Sequence, residues 1–342
     1  MIPPDPQADP VGVGFPNPAP PDHPNPVQPF SPNPIPPLPM LSFQPPGFRQ
    51  CFATVPLGRM AYYEPVAPLA TWQPDGPTVI FIHGFGGGSS AYEWAQVYGA
   101  IAMTHRVVAP DLLGWGDSDG RDRGYSLEEY VESLESFIPQ VANDRPVVLA
   151  AASIGGALAV RLANRHPDWI ESLFLSCPSG FDDFGEGSGR RLPAELVNTP
   201  GLDRLIYTVG AANAIAVRSF LERFLFANRD RITPEMVNAY LASALKPNAP
   251  AAALRFLRGD LFCDLAPDMA ALAVPTAIIW GDRARFTSLA QGRKLADLNR
   301  DRVAQFVTLP RCGVVPHLEW AGPTAGLLHA WLRGGDRATP SR

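Results

Sequence analysis

Short, almost wholly apolar runs recur along the chain with helix-like stretches between them: TVIFIH at Thr78–His83, RVVAP at Arg106–Pro110, PVVLAA at Pro146–Ala151 and PTAIIW at Pro275–Trp280. A strand that is apolar at every position has no face to offer water. It must be buried on both sides, which in practice means a parallel sheet with helices on each face. The intervening stretches supply the helices. Ala91–Met103 and Ile154–His166 have helical character, and Ser126-Leu127-Glu128-Glu129 is a capping box that opens a helix to about Val141. Trp169–Cys177 reads as a further strand, followed late in the chain by a helix at Ser288–Leu298, a strand at Val303–Leu309 and a helix at Leu318–Arg333. This alternation predicts an α/β fold with a mostly parallel, doubly wound sheet. Ahead of it, FATV and RMAYYEPV, divided by Pro56-Leu57-Gly58, predict a β-hairpin.

Two segments depart from the alternation. Residues 1–47 hold all 18 prolines found in the first 50 residues, of 39 in the chain, and no Lys or Arg precedes Arg49. Proline fixes φ and removes the backbone N–H, so neither helix nor sheet propagates there. The segment is expected to be a disordered, partly polyproline-II tail, either a spacer or a docking site for a protein with a proline-binding groove. Residues 181–264 carry only helix-like stretches, near Ala194–Tyr207, Ala211–Phe226, Pro234–Ala244 and Ala251–Leu257. An all-helical insertion between two strands of such a sheet is expected to lie as a cap over the strands' carboxyl ends, where ligands bind. The expected organisation is therefore a tail (1–47), the first part of the core (48–180), the cap (181–264), the second part of the core (265–334) and a short disordered C-terminal tail (335–342).

Composition narrows the function. With 28 Lys+Arg against 33 Asp+Glu the net charge is −5, which argues against nucleic acid as a partner. Cys51, Cys177, Cys263 and Cys312 form no metal-binding spacing and no disulfide framework. They suit a reducing compartment. The longest apolar stretch, Pro146–Val160, is shorter than the roughly 20 residues of a membrane span, and no signal peptide is evident. A cytoplasmic protein without cofactor is the expectation.

The chemistry is carried by turns that follow the predicted strands. Ala151-Ala152-Ser153-Ile154-Gly155-Gly156 joins a strand to a helix, with small residues about a serine, as a nucleophile elbow requires. An ordinary junction with a serine cap is the plainer reading. His83-Gly84-Phe85-Gly86-Gly87-Gly88 follows the first long strand. It lacks the GKS or GKT ending of a phosphate loop and the acidic partner of a dinucleotide fingerprint. Asp111–Ser118 (DLLGWGDS) follows RVVAP. With Trp280-Gly281-Asp282-Arg283, these landmarks resemble the α/β-hydrolase fold-1 family over roughly residues 51–333.

The resemblance implies Ser153 as nucleophile, with the backbone N–H groups of Phe85 and Ile154 forming an oxyanion hole. It also exposes two departures. The acid after the late strand, in a G-x-x-D pattern, is replaced by Ala284. The base expected before the last helix is replaced by Val314 in Cys312-Gly313-Val314-Val315-Pro316-His317. Asp182 or its neighbour Asp183 is a candidate relocated acid, and His317 a candidate displaced base. Serine needs an adjacent base to attack a carbonyl, so low or non-standard hydrolysis of a small apolar or carbonyl-containing molecule is expected. The alternative is a non-catalytic relative that binds an apolar ligand or a protein. Trp115 and the insertion residues Leu205, Ile206, Phe220, Phe224, Leu225, Tyr240 and Phe256 are candidates for the pocket wall.

Overall fold

The predicted hairpin is present in the computed structural model, which describes Met1 and residues 43–66, 77–186, 207–208, 212–247 and 249–334. β1 (Phe48–Val55) and β2 (Gly58–Pro65) are antiparallel, with Val55 opposite Gly58 across the two-residue turn. β2 then pairs with β4 (Val107–Pro110), and from there the sheet is parallel. β3 (Val79–Ile82), β5 (Val147–Ala152), β6 (Ile170–Ser176), β7 (Thr276–Gly281) and β8 (Val303–Leu309) complete an eight-stranded sheet of order β1-β2-β4-β3-β5-β6-β7-β8. Both expected tails, 1–47 up to Ser42 and 335–342, lie outside the described residues apart from Met1, as does nearly all of the predicted helix 194–207.

The apolar runs behave as their composition requires. Every residue of β3, β4, β5 and β7 is buried. Removing each Val, Ile or Phe of such a strand from water stabilises by about 1.5–3 kcal/mol. Helices α1 (Ala95–Ile101), α2 (Leu127–Val141) and α3 (Ser153–Arg165) connect the first parallel strands. Ser126 caps α2 in the predicted box: its hydroxyl accepts from Glu129 N–H at 3.2 Å, and the Glu129 carboxylate accepts from Ser126 N–H at 2.8 Å.

Between β6 and β7 the described elements are mainly helical: α4 (Ala214–Phe220), a π turn at Leu221–Leu225, α5 (Pro234–Ala244) and α6 (Ala249–Arg258), with a single β-bridge joining Phe181 to Cys263. This segment is seated on the turn that follows β3. Ser243 Oγ donates to Ser89 O at 3.0 Å, and a Cβ on Gly88 would stand 2.3 Å from Tyr240 O. After α7 (Ala266–Ala270) and β7, the chain forms α8 (Leu289–Asp297) and β8.

The long final helix splits into α9 (Pro316–Glu319) and α10 (Ala321–Leu332), with Trp320 outside helical geometry at φ −127°. Pro323 explains the break, because its ring would collide with the carbonyl four residues back, at Glu319. Likewise, Ala91–Met103 opens as a 3-10 turn at Ala91–Trp94 and ends at Ile101. Among the described residues no helix is long and apolar enough to cross a membrane.

Candidate functional site

The segments that follow the carboxyl ends of β3, β5, β6, β7 and β8 meet at one edge of the sheet, and Ser153 stands among them. It has φ +53°, a left-handed value in a residue with a Cβ, and is the first residue of α3, directly after β5. Backbone in that region costs of order 1–3 kcal/mol and persists only where its surroundings dictate it. The glycines show how close those surroundings are. A Cβ on Gly155 would lie 2.4 Å from His83 O, and one on Gly156 would lie 2.9 Å from Pro178 Cβ. Small residues are needed here because α3 starts against the turn after β3, as expected of an elbow.

That turn is itself tied down. Leu112 N–H donates to His83 Nε2 at 3.0 Å, which leaves the ring proton on Nδ1 to donate to Gly84 O at 2.6 Å. Ile154 is the second residue of α3, so its N–H has no intrahelical acceptor. No hydrogen bond from Phe85 N–H is present among the described residues. Two free backbone donors thus flank Ser153, one from each turn. The DLLGWGDS loop has a structural part. Asp111 is buried, and its carboxylate accepts from Ala91 N–H at 2.7 Å and Asp117 N–H at 2.8 Å. Burial pushes the Asp111 carboxyl above its ordinary value. Trp115 packs behind Phe85, ring centroids 5.2 Å apart, and is not on the cavity wall.

A cavity of about 20 Å³ opens at Ser153, room for the centre of roughly one water. Its wall includes Gly84, Phe85, Ala152 and Ser153 from the core turns, and Phe220 and Leu225 from the helical insertion. Phe181, Phe286, Val314 and Val315 add apolar surface, and Ser89, Glu93 and His317 add polar groups. Leu205 and Ile206 lie outside the described residues. Phe224, Tyr240 and Phe256 are not on the wall.

Val314 is on the wall with Ser153, and its N–H donates to Leu225 O at 3.0 Å, fixing it to the π turn. Ala284 is partly buried after β7 and is not on the wall. Asp282 is also committed elsewhere, since its carboxylate accepts from Cys312 N–H at 3.2 Å. Asp182 lies off the wall as well. Its neighbour Asp183 is buried and holds the hinge to the insertion, accepting from Ser179 Oγ at 2.7 Å, Gly180 N–H at 3.0 Å and Leu265 N–H at 2.9 Å.

The structure therefore brings Ser153, Phe85, Ile154, Val314 and His317 together at one end of the sheet, but not Asp182 or Ala284. It adds Glu93, which sequence reasoning missed. Glu93 sits in the apolar stretch AYEWA and is only 3 % exposed. One carboxylate oxygen accepts from Gly84 N–H at 2.9 Å and lies 3.7 Å from His317 Nε2; the other accepts from Tyr240 OH at 2.9 Å. Burial alone would raise its pKa. His317 first, then His83 and Ser89, outweigh burial and hold the carboxyl at about 2. A charged residue inside a buried apolar turn was the available signal. Its partner could not be read from spacing, because the two meet only through the fold. Among the described residues no group of three or more His, Cys, Asp and Glu side chains is placed to hold a metal.

Comparison with known proteins agrees with this geometry. The model of the alpha/beta hydrolase family matches residues 79–326. A haloalkane dehalogenase of Mesorhizobium japonicum is 30 % identical over 188 residues, a match spanning 54 % of this chain and 58 % of the dehalogenase, so the chain spans little more than half the length of that relative. A 2-hydroxymuconate semialdehyde hydrolase of a Pseudomonas species is 27 % identical over 274 residues, 77 % of this chain and 89 % of that protein. Among solved structures, a serine hydrolase involved in carbazole degradation superposes with TM-score 0.65 at 20 % identity, covering 84 % of this chain and 99 % of that one. At that identity the likeness speaks for the fold.

Proposed function

The chain belongs to the alpha/beta hydrolase family, and we propose that it binds a small carbonyl or ester compound at Ser153 and turns it over slowly. The observation that carries this reading is the strained φ of +53° at Ser153, set between two backbone N–H groups that have nothing else to bind. Strain of this kind is retained where a side chain must be presented. The N–H pair suits the oxyanion that forms when an oxygen nucleophile adds to a carbonyl. Turnover is slow because the base slot holds an isopropyl group, Val314, and the acid slot a methyl group, Ala284. Loss of a triad base costs on the order of 10⁶ in turnover, while the oxyanion hole and binding retain roughly 10³–10⁴ over water. The helical insertion acts as a cap. Phe220, Leu225 and Phe286 separate the cavity from bulk solvent and must part to admit anything larger than it now holds.

A second reading is a pseudoenzyme, and the same substitutions favour it, together with a cavity sized for one water. A serine-directed fluorophosphonate probe separates the two. The expected result is slow labelling of the wild type that is absent from Ser153→Ala. A wild type that stays unlabelled after prolonged exposure overturns the enzymatic reading and leaves the pseudoenzyme.

A further inference from the structure

We propose that His317, oriented by Glu93, is the base for Ser153 and acts on it across a single water in the cavity. This deepens the reading of Ser153 as nucleophile and rests on it. His317 is buried and lies on the same cavity wall as Ser153. Its two ring nitrogens are not equivalent. Nδ1 is 3.0 Å from Ser176 Oγ at the end of β6, whereas Nε2 is buried and makes no hydrogen bond among the described residues. Its nearest polar neighbour, the Glu93 carboxylate at 3.7 Å, is beyond hydrogen-bond distance, and a buried polar atom without a hydrogen bond costs about 1–3 kcal/mol. Packing does not require that cost, since the ring is already stacked on Trp94 with centroids 4.2 Å apart and 23° between planes. The cavity has room for about one water. Ser153 Oγ, His317 Nε2 and the Glu93 carboxylate are the polar groups that would hold it.

Glu93 is a positioning residue. Its three anchors, on Gly84, Tyr240 and His317, fix it between the oxyanion turn, α5 and α9. With its carboxyl held at about 2, it is an anion across the whole working range. It therefore stabilises an imidazolium beside it as a counter-ion, without taking the proton; unlike the acid of a triad it faces Nε2 itself, and Ser176 Oγ is the group at Nδ1. The stacked indole of Trp94 adds a face that favours the same cation. The other titratable groups around the pair are His83 at the end of β3, Tyr240, whose burial keeps its hydroxyl protonated, and Tyr92 beside Glu93, whose hydroxyl donates to Glu235 of α5 at 3.3 Å. β7 brings none, α1 brings only Tyr98, and α10 only His329 in its last turn. Glu319, on the same short helix as His317, is spent on Gly313, Ala227 and Asn228 N–H.

The step balances without any further reagent. The Ser153 hydroxyl gives its proton to the bridging water, which passes one to Nε2. The serine oxygen bonds to the carbonyl carbon, the ester C–O bond breaks, and the leaving alkoxide takes the proton back from His317. A second water then repeats the sequence on the acyl-serine, releasing the acid and restoring Ser153.

The experiment is the pH profile of fluorophosphonate labelling on the full chain, where Ser153 displaces fluoride. From pH 5 to 9 the wild-type rate is expected to rise to a plateau through a single midpoint. His317→Gln is expected to lose about a hundredfold at the plateau and to flatten the profile. Glu93→Gln is expected to move the midpoint to lower pH, because the anion that favours imidazolium is gone. Added imidazole is expected to restore part of the rate in His317→Ala. A flat wild-type profile overturns the proposal whether or not the variants fold. So does a folded His317→Gln that labels at the wild-type rate with the wild-type midpoint, and in that case Ser153 keeps its role. Labelling that survives in Ser153→Ala instead overturns the reading on which the proposal rests.

Discussion

Gly155 carries a sharp test of how the elbow is built. A methyl group there would meet a backbone carbonyl, His83 O, at 2.4 Å, and a backbone atom cannot turn aside as a side-chain tip can. Gly155→Ala should therefore destabilise the protein by about 3 kcal/mol, near the upper end for overpacking, and should lower Ser153 labelling in whatever folds. Urea unfolding read beside labelling checks both. The strained turn at Ser153 was legible in the sequence because a tight strand-to-helix turn needs a run of small residues, here Gly155 and Gly156. The residues that were not legible are the ones whose role depends on distant partners. Glu93 looks like one more acid in a helix until Gly84, Tyr240 and His317 close around it. Asp183, which holds the hinge, and Asp182, which lies off the cavity wall, are neighbours that no pattern in the chain tells apart.

At the scale of elements, strands and capped helices were read almost to the residue. The α2 box at Ser126 is the clearest case, and Ser126→Ala should cost about 1 kcal/mol by thermal or urea unfolding. Boundaries shifted where a local constraint overrode periodicity, as at Trp320, where Pro323 divides what reads as one apolar helix. The π turn Leu221–Leu225 was also invisible in the sequence. It inserts one residue per turn, carries Leu225 to the cavity wall and turns its carbonyl to Val314 N–H. Phe220 precedes it, its ring 3.3 Å from where a Cβ on Gly86 would be. Because this ring is part of the wall, Phe220→Ala should widen the cavity and raise the labelling rate of Ser153 severalfold. The stability cost should be smaller than the roughly 3–5 kcal/mol of a fully buried phenylalanine, since Phe220 is only partly buried.

Across the whole molecule, Glu93 links the core turn, the helical insertion and the last loop, so its ionisation is felt in global stability. Its carboxyl titrates near 4.5 when unfolded and at about 2 when folded. A depressed acid contributes stability that is complete above the unfolded value and is lost as pH falls through the folded one. Wild-type stability should therefore drop between about pH 4.5 and 2 more steeply than that of Glu93→Gln, measured as urea midpoints against pH. The family assignment rests on this same scale, since the family model matches residues 79–326, from β3 into α10.

We propose that Ser153 stands ready at the turn between β5 and α3 while Val314 and Ala284 fill the positions of the ordinary base and acid. The most direct measurement is the rate of fluorophosphonate addition at neutral pH, with the adduct mapped by mass spectrometry, in the wild type beside Ala284→Asp/Val314→His. An adduct on Ser153 is expected in both, formed at least about tenfold faster in the double variant, a small part of the roughly 10⁶ that a full triad supplies. An adduct elsewhere, or a wild type already as fast as a well-folded double variant, would contradict it.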